Sequence, residues 1–159
     1  MGALTPLAVK IGSISWMPRL LPQIVIVDNA MHKLTGDRYG LLDIGGLPNI
    51  ELSVPGRKSG VVRSTRLLAV PTDDGAWLIA GSYFGGRDMP QWVFNIRAAD
   101  TVDVGHRGTT TTMTWRELDG AERETAWATM VDVWPNFDLY VRRTPRRIPV
   151  FRLEPATRS

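Results

Sequence analysis

Leu20, Ile24, Val27, Met31 and Leu34 recur at spacings of four, three, four and three residues. This is a single apolar stripe on an amphipathic helix, and Gly36 is a natural stop at its C-terminus. Beyond Gly36 the pattern changes. Gly40, Gly45 and Gly46 mark a loop over 38–48, and 50–54 reads as a short strand closed by the Pro55-Gly56 turn. Apolar and β-branched residues predict a strand over 61–70, ending at Pro71. Asp73-Asp74-Gly75 then makes a hairpin turn, with 76–82 as the return strand. Pro90 suits the first turn of a short helix running to Ala99. Residues 101–104 and 109–118 form a second hairpin around Arg107-Gly108. Asp119 caps a helix whose Trp127, Met130, Val131 and Trp134 share a face, and Pro135 ends it. A short helix over 136–143 and a last strand over 148–153 complete the chain.

About six strands follow one another through tight turns, flanked by three or four helices. That order predicts an α+β, mainly β fold: a mostly antiparallel sheet or small barrel, with residues 1–36 as a helical segment outside it and 37–159 as the barrel domain. No Gly-x-Gly-x-x-Gly follows a strand, which argues against a dinucleotide-binding α/β fold.

Composition narrows the chemistry. Apolar residues are 43% and charged residues 22% of 159, which suits one domain with a real core. Cysteine is absent, so disulfides, zinc–thiolate sites and thiol nucleophiles are excluded. Two histidines make a His-rich metal site a poor expectation, and no metal is expected. The formal charge of +3 suits an anionic small molecule or an anionic surface. The apolar run at 20–27 is too short to span a bilayer, and prolines 6, 18 and 22 break up anything resembling a signal peptide. The expectation is a cytoplasmic protein. Its segment 4–16 either packs on the domain as a strap or lies peripherally on the inner face of the plasma membrane.

Three constellations carry candidate chemistry. The first is Pro55-Gly56-Arg57-Lys58-Ser59-Gly60 with Arg63, where glycine amides, a hydroxyl and clustered cations would suit a phosphate or carboxylate. An ordinary solvated turn is the plainer reading. It is not a P-loop, since Arg57 stands where that motif needs glycine. The second is Ala80-Gly81-Ser82-Tyr83-Phe84-Gly85-Gly86 followed by Trp92 and Asn95. Small residues there expose backbone amides to a flat ligand, with Trp92 as a wall or as core. The third is Trp134, Phe137 and Tyr140, spaced by three, either lining a pocket with one phenol as a proton donor or packing a helix on the sheet. Arg142-Arg143 and Arg146-Arg147 read as a solvated face, or as part of a basic membrane-surface or nucleic-acid binding module.

The motifs 56–60 with Arg63, 80–82, Pro90-x-Trp92-x-x-Asn95, Pro135 with Tyr140, and Ile148-Pro149 occur in an order and spacing that resemble the deazaflavin-dependent nitroreductase family. These are the actinobacterial coenzyme F420-dependent reductases of the split β-barrel superfamily. The resemblance runs from about 50 to 155. It implies a split β-barrel over 37–159 that binds reduced coenzyme F420. It further implies that Arg57, Lys58, Ser59 and Arg63 hold the acidic tail. Ala80, Gly81, Ser82 and Tyr83 would meet the deazaflavin ring, with Ser82 and Tyr140 in catalytic roles. Trp92 and Asn95 would fix the pocket wall, and Trp134, Phe137 and Tyr140 would face the substrate. In the nitroreductase itself, Lys-Gly-Gly follows the serine and tyrosines occupy pocket positions that are Trp134 and Phe137 here. Fewer phenols favour a small electrophilic acceptor such as a quinone, an enone or another activated C=C bond over a nitroaromatic. An FMN- or haem-binding split barrel is the alternative with the same fold. The resemblance also implies a homodimer, and no nucleic-acid partner.

Overall fold

A computed structural model of the chain describes residues 47–82 and 85–156. The helix predicted over 20–34, the strap at 4–16 and Tyr83 lie outside the described residues. Strand β1 (Asn49–Pro55) shows the expected period of two. Ile50, Leu52 and Val54 are buried, while Glu51 and Ser53 face outward. It pairs antiparallel with β2 (Val62–Leu68), and the outward face of the pair is polar. Ser53 Oγ and Ser64 Oγ lie 2.7 Å apart, and Arg66 bridges to Glu51 at 3.0 Å.

The strand expected over 61–70 is interrupted. β2 stops at Leu68 and β3 (Val70–Pro71) begins after Ala69, which is fully buried and donates its N–H to Pro48 O at 3.1 Å. That break makes seven described strands where about six were expected. β4 (Trp77–Ala80), β5 (Val102–His106), β6 (Thr109–Glu117) and β7 (Val150–Pro155) complete one sheet in the order β2-β1-β5-β6-β7-β4-β3, with every pairing antiparallel. Its two outermost strands are successive in the chain with only Ala69 between them. The sheet therefore has to curl until its edges approach, giving the split-barrel form.

Three described helices flank the sheet: α1 (Gln91–Arg97), α2 (Gly120–Val133) and α3 (Asn136–Arg143). Asp119 caps α2 as expected, its carboxylate accepting the Gly120 N–H at 2.9 Å. The β5–β6 turn has positive φ at both Arg107 (49°) and Gly108 (83°), the geometry that two-residue hairpins require.

β4 and β7 are the wall between two cores. Ile79, Phe151 and Leu153 point into one core, with β1, β5 and α1. Leu78 and Val150 point into the other, with Met130, Trp134, Phe137 and Tyr140 from the α2–α3 side. β4 therefore alternates between the two cores, whereas in β7 only Val150 reaches the second core, and Arg152 and Glu154 further along that face pair with each other at 2.8 Å.

Candidate functional site

The β1–β2 loop closes on itself. Gly56 N–H reaches Val61 O at 2.8 Å, and Gly60 N–H reaches Gly56 O at 2.8 Å. Gly60 holds φ +73°, which a side chain would strain. Ser59 Oγ accepts the Val61 N–H at 3.1 Å, a bond inside the loop. Arg57 reaches out of it to α1. Its backbone N–H and its Nη1 both donate to Asn95 Oδ1, at 3.1 and 3.0 Å. Its Nη2 donates to Gln91 Oε1 at 3.1 Å, and its guanidinium lies 5.0 Å from the centre of the Phe94 ring. Arg57 was expected to face the anion. Here its backbone N–H and two guanidinium nitrogens are engaged with α1, where the buried Asn95 carbonyl needs donors. Lys58 and Arg63 are exposed, and neither forms a salt bridge among the described residues. Arg63 pairs with Val54, so it stands on the face of β1–β2 that carries the core residues, and it is exposed near the loop end of the hairpin.

The second loop follows β4. At Gly81 a Cβ would lie 2.8 Å from Val93 Cγ2 and 2.9 Å from Pro149 Cγ, so no side chain fits. Gly81 N–H donates to Pro149 O at 2.9 Å, and Gly85 N–H to Ser82 O at 2.8 Å. Gly85, with φ +75°, lies against α3, where a Cβ would be 2.8 Å from Arg143 Cβ and 3.0 Å from Tyr140 Cα. The second and third constellations are therefore in contact. Sequence reasoning missed Arg146, grouping it with Arg142, Arg143 and Arg147 as solvated. Its Nη1 donates to Gly81 O at 2.8 Å, its Nη2 to Ser82 O at 3.1 Å and its Nε to Gly86 O at 3.3 Å. Carbonyl partners leave no mark in a sequence, which is why the role was illegible.

Trp92 is half-buried on the first core, its ring 5.6 Å from Phe151 in an edge-on contact. The three aromatics expected to line a substrate pocket are brought together, but inside the second core. Trp134 is 5%, Phe137 3% and Tyr140 1% exposed. Trp134 Nε1 donates to Tyr140 Oη at 3.0 Å. Burial pushes the Tyr140 phenol up to about 12, against the opposing effect of that hydrogen bond. No helix among the described residues is long and apolar enough to cross a membrane.

Residues 26–155 match the profile of a protein family described as F420H2-dependent quinone reductase. A solved F420-H2 dependent reductase shares 35% identity and a TM-score of 0.62, covering 67% of this chain and 94% of its own. A second structure, described as a domain-swapped dimer, gives the same identity of 35% and TM-score of 0.62, over 67% of this chain and 80% of that one. The haem storage protein HutZ from Vibrio cholerae has a TM-score of 0.53 at 11% identity, over 83% of this chain and 92% of its own. That last likeness is one of fold alone.

Proposed function

The chain belongs to the F420H2-dependent quinone reductase family, and from that membership we propose that it passes a hydride from reduced coenzyme F420 to an electrophilic organic acceptor, a quinone before an enone or a nitroaromatic. The observation that carries the site assignment is the division of labour in the β1–β2 loop. Arg57 ties the loop to α1, while Lys58 and Arg63 remain exposed on it. Exposed cations beside a glycine turn fit a polyanionic phosphate–glutamate tail, which offers more charges than a single phosphate.

In this reading Lys58 and Arg63 neutralise the tail, with the Ser59 hydroxyl as a further donor. Asn95 and Gln91 act through Arg57 to hold the loop in place. Ala80, Gly81 and Ser82 present the backbone and one hydroxyl to the ring, with Tyr83 next in the chain. Trp92 backs α1 against the barrel. The bound deazaflavin supplies hydride donation, and the protein's contribution is to bind, orient and keep water away from the transfer. Trp134, Phe137 and Tyr140 support the loop from behind through the Gly85–Tyr140 contact, and the proton that completes quinone reduction comes from water.

The homodimer expected from the sequence draws support from the 35% identical relative solved as a domain-swapped dimer; sedimentation of the purified chain tests it. The main test is a pair of titrations, coenzyme F420 against FMN, read by quenching of tryptophan fluorescence. Oxidation of the reduced deazaflavin is then followed with a soluble quinone. Tight FMN binding with no F420 binding would sink the proposal.

A further inference from the structure

Arg146 lies on the segment between α3 and β7, three residues before Pro149, whose ring packs against Gly81. Three backbone carbonyls of one loop converge on its guanidinium: Gly81 O at 2.8 Å, Ser82 O at 3.1 Å and Gly86 O at 3.3 Å. Its Nη1 also lies 3.4 Å from Met89 Sδ. Two of these three carbonyls belong to glycines, which have no side chain with which to fix themselves. Gathering carbonyl oxygens in one place is unfavourable unless a cation with several directed donors sits among them. A planar guanidinium has that geometry and an ammonium does not. Burial lowers the Arg146 pKa from its ordinary value, and the charge of Asp88 opposes that shift.

We propose that Arg146 is a positioning residue, fixing the backbone at Gly81, Ser82 and Gly86 beside the deazaflavin ring without itself touching the cofactor. The proposal rests on the reading of this loop as the ring site. It separates two quantities that the fold keeps apart. Affinity resides mainly with the tail cations on the β1–β2 loop, and alignment of the ring resides with the loop that Arg146 holds. Losing Arg146 therefore affects the rate of hydride transfer more than occupancy.

The experiment uses the full chain with Arg146→Gln, Arg146→Lys, Ser82→Leu and, as a control for charge, Arg142→Gln on an exposed residue of α3. F420 sites are titrated by tryptophan quenching, and single-turnover oxidation of the reduced coenzyme by a quinone is expressed per titrated site. A purely structural role would lower the number of sites and leave the rate per site unchanged. The expected result for Arg146→Gln is a rate per site lower by about tenfold to a hundredfold, the scale of a small misalignment, with affinity changed less than the rate. Arg146→Lys falls between it and wild type, and Arg142→Gln matches wild type. An unchanged rate per site in Arg146→Gln overturns the proposal. If that variant does not fold, Arg146→Lys decides by the same readout, and a wild-type rate in it is equally fatal. Ser82→Leu distinguishes the two failures. If it leaves F420 affinity and rate untouched, the ring-site reading falls and this proposal with it. If it damages them while the Arg146 variants do not, only this proposal falls.

Discussion

Asn95 Oδ1 accepts two hydrogen bonds from Arg57, one from its backbone N–H at 3.1 Å and one from its Nη1 at 3.0 Å. A single buried carbonyl oxygen on α1 thus fixes both the path of the β1–β2 loop and the direction of its first cation. The neighbouring Lys58 is left to point elsewhere. Two residues read from the sequence as parts of different sites are one device.

Replacing Asn95 by Ala leaves the Arg57 amide without its acceptor and frees the loop. Stability should fall by about 1–3 kcal/mol, the usual cost of breaking a buried bond to a charged partner. F420 affinity should fall with it, since the tail cations lose their platform. Urea unfolding and a cofactor titration on the same preparation check both.

Lys58→Ala and Arg63→Ala should each weaken F420 binding by about 1–3 kcal/mol with little effect on stability, since neither side chain holds the fold. The loss should shrink as salt rises, because exposed charges are screened. Arg57→Ala should differ in kind, lowering both stability and affinity, because its contacts are with α1. Equal behaviour of all three variants would dissolve the distinction between clasp and ligand.

Much of the fold was legible because local chemistry and tertiary demand agree. Ile50, Leu52 and Val54 alternate and are buried, Arg107-Gly108 is a hairpin turn, and Asp119 caps its helix. What was not legible depends on distance along the chain. Ala69 interrupts a pattern that reads as one strand, because the sheet must close on itself there. Arg57 and Asn95 are 38 residues apart, and Arg146 and Gly81 are 65 apart. The spacing of Trp134, Phe137 and Tyr140 predicted that they would cluster but was silent on whether water or a second core meets them.

Gly81→Ala should be costly. The new Cβ would press on Val93 Cγ2 at 2.8 Å and Pro149 Cγ at 2.9 Å, and Pro149 is a rigid ring. Overpacking of this kind costs about 1–3 kcal/mol. Because Gly81 N–H is bonded to Pro149 O, the strain would displace the proposed ring loop from β7, and F420 turnover should fall alongside the melting temperature. A variant with wild-type stability and turnover would show that the loop is not held at this point.

Tyr140 permits a test by pH. Burial raises its phenol from 10.0 to about 12, with the Trp134 hydrogen bond and the Arg143 charge opposing the shift. Between those two values the unfolded chain has lost the phenolic proton and the folded chain keeps it. The contribution of this group to stability is therefore complete below about pH 10 and is lost as pH rises toward about 12, at about 1.4 kcal/mol per pH unit. Tyr140→Phe has no such proton. At neutral pH it should be less stable by about 1–3 kcal/mol, because Trp134 Nε1 loses its buried acceptor. That deficit should narrow as wild type weakens above pH 10. Urea unfolding of the two proteins from pH 8 upward measures the gap directly. Quinone turnover at neutral pH should stay near wild type, since the hydroxyl is bonded to Trp134 within the core and water delivers the proton. A Tyr140→Phe protein with wild-type stability and turnover reduced by about tenfold or more, on the scale of losing one oxyanion donor, would move the phenol from the core to the acceptor.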